Sequence, residues 1–149
     1  MDERAVLRFD GCMATNIEQV YRRLEQVYER LISPLGLSVL EWYALRALYA
    51  EDGLSASHLA HLVCRHPSSM TALLDRMEEK GLVRRQVDEH DRRSVRVFLT
   101  AAGQRLEPQI RAVIDDLAHL LGDSITPEQM DTFHYVLCVL QNIPVPDVP

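Results

Sequence analysis

The sequence predicts a mainly α fold carrying one small β-hairpin, and three observations predict it. Apolar residues recur at helical spacing through most of the chain. The period changes only once, between residues 83 and 99, where two short β-branched runs flank a connector without an apolar residue. Just upstream, two short helical stretches are joined by a tight connection from Cys64 to Pro67.

Each element can be read from its own residues. Residues 14–32 carry Ile17, Val20, Tyr21, Leu24, Val27, Tyr28 and Leu31 at helical spacing, and Pro34 with Gly36 ends that helix. Ser38 followed by Glu41 is a capping-box pattern for the next helix, whose stripe is Leu40, Ala44, Leu45 and Leu48. Ser55 opens a third, short helix. Pro67 suits the first position of a fourth, because a proline's missing N–H has no intrahelical partner there. Met70, Leu73, Leu74 and Met77 form the inner side of that helix, and Gly81 ends it. Leu82–Val87 and Val95–Leu99 form the hairpin around Asp88-Glu89-His90-Asp91-Arg92-Arg93. Thr100 caps a long helix that Pro108 bends slightly. Thr126-Pro127-Glu128-Gln129 starts the last helix, in which Cys138 reads as a core residue.

Composition excludes several classes. A chain of 149 residues, 47% hydrophobic and 26% charged, is a single globular domain, residues 1–149. No apolar run is long enough to span a bilayer and no secretory signal opens the chain, so the expectation is a cytoplasmic protein without a membrane partner. Cys12, Cys64 and Cys138 are odd in number and far apart, which argues against a disulfide framework. There is no Gly-rich phosphate loop, no His-Glu-x-x-His and no Gly-x-Ser-x-Gly, so the chain is not read as an enzyme, and no cofactor is expected.

Net charge is −6, but its distribution is uneven. Between Ser55 and Thr100, eight Arg and Lys face six Asp and Glu, so this third is +2 and the remainder −8. Two short helices with a tight connection form a helix-turn-helix, whose second helix, here 67–79, can enter a major groove. Its outer face begins with small hydroxyl residues, Ser68, Ser69 and Thr71, able to donate to phosphates or bases. Arg76 suits a phosphate contact or an ion pair with Asp75, Glu79 or the hairpin. At the hairpin tip Arg92 and Arg93 suit the minor groove, with Asp91 available to orient one of them by a charge-assisted pair. The flanking helices are too apolar to bury themselves within one chain, and a closed two-fold homodimer is the commonest solution.

Leu59 through Thr100 resembles the MarR family of winged helix-turn-helix regulators. The resemblance is carried by Leu73-Leu74-Asp75-Arg76-Met77-Glu78-Glu79-Lys80-Gly81-Leu82-Val83 and by the wing signature Asp91-x-Arg93 followed by Leu99-Thr100. It implies a homodimer on double-stranded DNA with a pseudo-palindromic operator, usually a repressor released by a small aromatic acid or other lipophilic compound. The winged helix-turn-helix part would be residues 37–100, with dimerisation helices at 12–33 and 101–141. Carried over residue by residue, Pro67, Ser68, Ser69, Thr71, Ala72 and Arg76 form the recognition helix contacts, and Asp91, Arg92 and Arg93 the wing contacts. Ala72 departs from the longer polar residue many relatives carry, which removes a hydrogen-bonding readout but leaves a methyl able to meet thymine.

Candidate effector-pocket residues are Tyr21, Tyr28, Trp42, Tyr43 and His61, each also at home in ordinary packing. Cys12 and Cys64 are the candidates for an alternative, thiol-based oxidant-sensing function. His58, His61, Cys64 and His66 are metal-ligand types but lack compact paired spacing, so no metal site is assigned. A winged-helix protein-interaction module without DNA binding is the remaining alternative.

Overall fold

The computed structural model describes residues 13–144. The chain divides into two compact units, Met1–Ile114 and Asp115–Pro149.

In the first unit, α1 (Met13–Ile32) ends in a 3-10 turn at Ser33–Leu35, closed by Gly36 in the left-handed conformation. Helix α2 (Val39–Ala50) starts on the capping box expected from Ser38 and Glu41. Strand β1 (Leu54–Ser55) leads into α3 (Ala56–Leu62), capped by the Ser55 side chain, and α4 (Pro67–Glu79) follows. Between α3 and α4 the Arg65 N–H bonds to the Ala60 carbonyl and the Cys64 N–H to that of His61, a Schellman closure. Cys64 sits in it at φ 53°, a position that favours glycine.

Strands β2 (Val83–Val87) and β3 (Val95–Leu99) form the expected hairpin, and β1 adds to it in the order β1-β3-β2, all antiparallel. The third strand was not expected from sequence. It is two residues long, and its pairing of Leu54 with Val97 and Ser55 with Arg96 makes it a strand. On β3, Val97 and Leu99 point into the core while Arg96 faces outward.

The core gathers Ile32, Trp42, Leu45, Leu48, Leu59, Met70, Leu73, Leu74, Met77, Val97 and Ile110. Trp42 is fully buried, and its indole N–H donates to the Ile110 carbonyl at 3.2 Å. Tyr49 donates to the Gly103 carbonyl at 2.6 Å, and burial, reinforced by Glu107, pushes its phenol up to about 12. Gly103 is required by close approach: a Cβ there would lie 2.2 Å from the Leu82 carbonyl oxygen.

The single long helix expected after Thr100 is two helices, α5 (Ala101–Arg105) and α6 (Glu107–Leu121), broken at Leu106. Pro108 accounts for the break: it has no N–H for the Gln104 carbonyl, and its ring crowds that carbonyl. The second unit holds α7 (Pro127–Gln141), opened by the Thr126 and Gln129 capping box. Helix α7 has no buried residue, and Cys138, expected in a core, is exposed.

Candidate nucleic-acid interface

Helix α4 turns Met70, Leu73, Leu74 and Met77 inward, which leaves Pro67, Ser68, Ser69, Thr71, Ala72 and Arg76 on the exposed side. The helix is capped by His66. The Ser68 N–H donates to His66 Nδ1 at 3.3 Å, so that nitrogen carries a lone pair. With the imidazole in its Nε2–H tautomer, the Ser68 hydroxyl, 2.8 Å from the same nitrogen, donates to it. The Ser69 hydroxyl donates to the His66 carbonyl at 2.8 Å. Both serines thus use their protons within the cap and present lone pairs outward. Thr71, Arg76 and the His66 Nε2–H are the donors left here; among the described residues Arg76 forms no ion pair.

Of the partners expected for Arg76, Asp75 is taken by another arginine. Arg85 on β2 binds Asp75 and reaches Glu78 Oε2 at 2.9 Å, fastening the α4 helix to the hairpin. That guanidinium and the Arg85 N–H hold the Glu78 carboxyl below its ordinary value. At the same C-terminal end of α4, Lys80 Nζ donates to Glu41 Oε2 at 2.8 Å, to Oε1 at 2.9 Å and to the Gly36 carbonyl at 2.8 Å. Glu41 is 1% exposed. Burial pushes its carboxyl up, but Lys80 and the Ser38 N–H together outweigh burial and hold it below the usual range. The same carboxylate completes the capping box of α2, so one side chain links the start of α2 to the end of α4.

The wing tip is built around Asp88, a residue the sequence reading did not single out. One oxygen accepts from the His90 N–H at 2.8 Å and the Asp91 N–H at 3.2 Å; the other pairs with Arg96. These partners, Arg96 foremost, hold the Asp88 carboxyl down at about 2. Arg96 also donates to the Gly53 carbonyl at 3.0 Å, anchoring the tip to the loop before β1. An aspartate at the head of a polar turn was the sequence signal for this role. Asp91, expected to orient an arginine side chain, instead accepts from the Arg93 backbone N–H at 3.0 Å. Arg92 and Arg93 are both exposed, and neither forms an ion pair among the described residues.

The effector-pocket candidates separate. A cleft of about 760 Å³ lies among α1, α2 and the turn that ends α3. Tyr21 and Tyr43 line it. Tyr28 stacks behind, 6.1 Å from Tyr43 and 5.0 Å from Trp42 between ring centres. Trp42 belongs to the core, and His61 is exposed away from the cleft. Cys64 lines the cleft and is exposed, whereas Cys12 lies outside the described residues. Among the described residues no three His, Cys, Asp or Glu are gathered as a metal would require.

An outward-facing second helix locked to a three-stranded hairpin sheet defines a winged helix-turn-helix protein. The MarR family model matches residues 37–95. Over 133 residues the chain is 32% identical to the transcriptional activatory protein BadR of Rhodopseudomonas palustris, covering 84% of this chain and 74% of that protein. It therefore belongs to the MarR family of DNA-binding transcriptional regulators. It is also 34% identical over 101 residues to the HTH-type transcriptional repressor Rv2887 of Mycobacterium tuberculosis, covering 67% of this chain and 73% of that one. Among solved structures, it resembles a MarR-family transcriptional regulator from Silicibacter pomeroyi, with a TM-score of 0.67 and 33% identity over 91% of this chain and 93% of that chain.

Proposed function

We propose that the chain is a homodimeric, sequence-specific repressor that reads a pseudo-palindromic operator and is released by a small-molecule effector. One observation carries the DNA contacts. Three of the six acids that offset the basic middle of the chain are spent internally: Asp75 and Glu78 on Arg85, and Asp88 on Arg96. The positive charge left over is displayed by Arg76 on α4 and by Arg92 and Arg93 at the hairpin tip. In this reading the N-terminal half of α4 enters the major groove, with Thr71 as donor, Ser68 and Ser69 as acceptors suited to adenine or cytosine amino groups, and Ala72 against a thymine methyl. Arg76 meets a phosphate, and Arg92 and Arg93 reach the adjacent minor groove.

Two-fold assembly is supported by exposed apolar residues on the terminal helices: Met13, Ile17 and Val20 on α1, and Phe133, Val136 and Val139 on α7. Release by an effector is supported by the position of the cleft, one wall of which is the Val63–Arg65 turn that leads into α4.

A salt titration of operator binding tests the reading. The logarithm of affinity should fall steeply and linearly with the logarithm of salt, and Arg92→Ala with Arg93→Ala, which removes both arginines from each protomer of the dimer, should reduce that slope by about 4 on every duplex. Thr71→Val should instead change which sequences are selected from a random duplex pool. Binding that ignores salt, or no duplex binding at all, would mean a winged-helix protein-interaction module.

A further inference from the structure

We propose that the cleft among α1, α2 and the α3–α4 turn takes a lipophilic cation, an aromatic amine or quaternary ammonium compound. The inference rests on the regulatory reading only in making that occupant the effector; the binding chemistry stands on the cleft itself.

The cleft, about 760 Å³, has the size of sites that enclose a drug-sized molecule. Leu37, Val39, Leu40 and Leu62 make much of its surface apolar, and Tyr21 and Tyr43 add aromatic walls. Tyr43 is fixed from behind by Trp42 at 5.2 Å and Tyr28 at 6.1 Å, so its ring is held in place before any ligand arrives. A rigid aromatic wall attracts a cation through the negative face of its ring.

Charge decides the sign of the ligand. Glu25 and Glu29, one helical turn apart on α1, both line the cleft, and Arg65 is the one cation among its lining residues. Among the described residues neither glutamate is in an ion pair; Glu25 accepts only the Tyr21 hydroxyl, at 3.3 Å. The neighbouring Arg22 is already paired to Glu18. Two unpaired carboxylates against one guanidinium leave the cleft net negative. Burial foremost raises the Tyr43 phenol; of the charged groups near it, Arg46 lowers it and Glu25, the smallest influence, raises it. An aromatic carboxylate, the ligand type expected from the family resemblance, would enter against like charge, whereas an amine of the same shape would find both an aromatic wall and a counter-ion.

The opposite wall couples occupancy to α4. Leu62, Val63 and Cys64 belong to the closure whose geometry sets the direction of the recognition helix. A ligand seated between Tyr43 and this turn touches it directly.

Three compounds of one shape test the proposal on the full-length protein without DNA: 4-phenylbutylamine, 4-phenylbutanol and 4-phenylbutyrate, titrated calorimetrically. The chain has one tryptophan, Trp42, so its emission reports occupancy beside Tyr43 independently. The amine should bind about tenfold more tightly than the carboxylate, with the alcohol between them. Glu25→Gln with Glu29→Gln, both at solvent-accessible positions of α1, should bring the three affinities together while thermal unfolding stays unchanged. Arg65→Gln should widen the preference for the amine. Equal or tighter binding of the carboxylate, a preference that survives the glutamine substitutions, or no saturable binding by any of the three would overturn the proposal. Operator affinity plays no part in these readouts, so failure here leaves the DNA-binding reading standing, and the salt titration can fail without affecting this one.

Discussion

The residues between Leu37 and Thr100 and those of α7 solve the same problem in opposite ways. The first region buries its apolar side chains and ties its polar ones. Lys80 is fixed to Glu41, Arg85 to Asp75 and Glu78, and Arg96 to Asp88, while the Asp52 carboxylate accepts the Leu99 N–H at 2.8 Å. Helix α7 has a well-formed capping box but no buried residue, and Phe133, Tyr135, Val136 and Val139 are each between 44% and 69% exposed. Apolar burial contributes about 25 cal/mol per Å², so a helix that leaves its aromatic and branched residues in water gains little from its own unit. The reading head is complete within one chain. Helix α7 leaves this face uncovered, and the proposed second copy would cover it.

The largest expected effect breaks that contrast on the α7 side. Phe133→Asp with Val136→Asp places two charges on the uncovered face. If this face is the dimer contact, association measured by sedimentation should weaken about 100-fold, roughly 3 kcal/mol. The reading head should be untouched, with the emission of Trp42 unchanged. Dimers that persist at the same affinity would remove α7 from the interface.

A change of comparable size inside the reading head has the opposite character. Lys80→Met leaves the Glu41 carboxylate buried without its cation, and removal of one partner of such a pair costs about 3 kcal/mol. Urea midpoints should show the loss at constant slope. Adding Glu41→Gln should recover part of it, because a neutral amide still accepts the Ser38 N–H without an unpaired charge. No recovery would mean that Lys80 acts through its contact with the Gly36 carbonyl rather than through the carboxylate.

This pair also shows which parts of the molecule a sequence makes legible. Ser38 with Glu41, Thr126 with Gln129, Pro67 and Gly81 announce helix ends because each acts on backbone within a turn or so of itself, and the structure has those ends. The family motif likewise marks Arg92 and Arg93, which are exposed at the hairpin tip. What was not legible depends on partners far along the chain. Lys80 and Glu41 are 39 residues apart, and nothing local links them. Strand β1 exists only through β3, 41 or more residues away. Asp91 was given the wrong partner and Asp88 none for a related reason: both are turn acids, and only the folded hairpin shows that Asp88 faces Arg96 while Asp91 turns to the backbone. Arg85 took Asp75, one of the acids expected for Arg76, because the α4–β2 approach places it between Asp75 and Glu78. Cys138 read as core because helical spacing identifies an apolar face but not whether anything covers it.

The smallest effect separates the wing from the head that holds it. Asp88 carries a folded value of about 2 against an ordinary aspartate value of about 3.9, set by Arg96 and by the His90 and Asp91 N–H groups. A carboxyl lowered on folding stabilises the native state fully above its unfolded value, and that contribution is lost as pH falls through the folded one. Asp88→Asn keeps the shape and one acceptor but discards the charge. The stability difference between the natural chain and this variant should therefore be constant above about pH 4 and shrink steadily between about 4 and about 2. Amide resonances of His90 and Asp91 should move over the same window, whereas that of Ser38, bound to Glu41, follows a different carboxylate. If the gap between the two chains instead stayed constant down to pH 2, the negative charge would not hold the tip, and the turn hydrogen bonds alone would present Arg92 and Arg93.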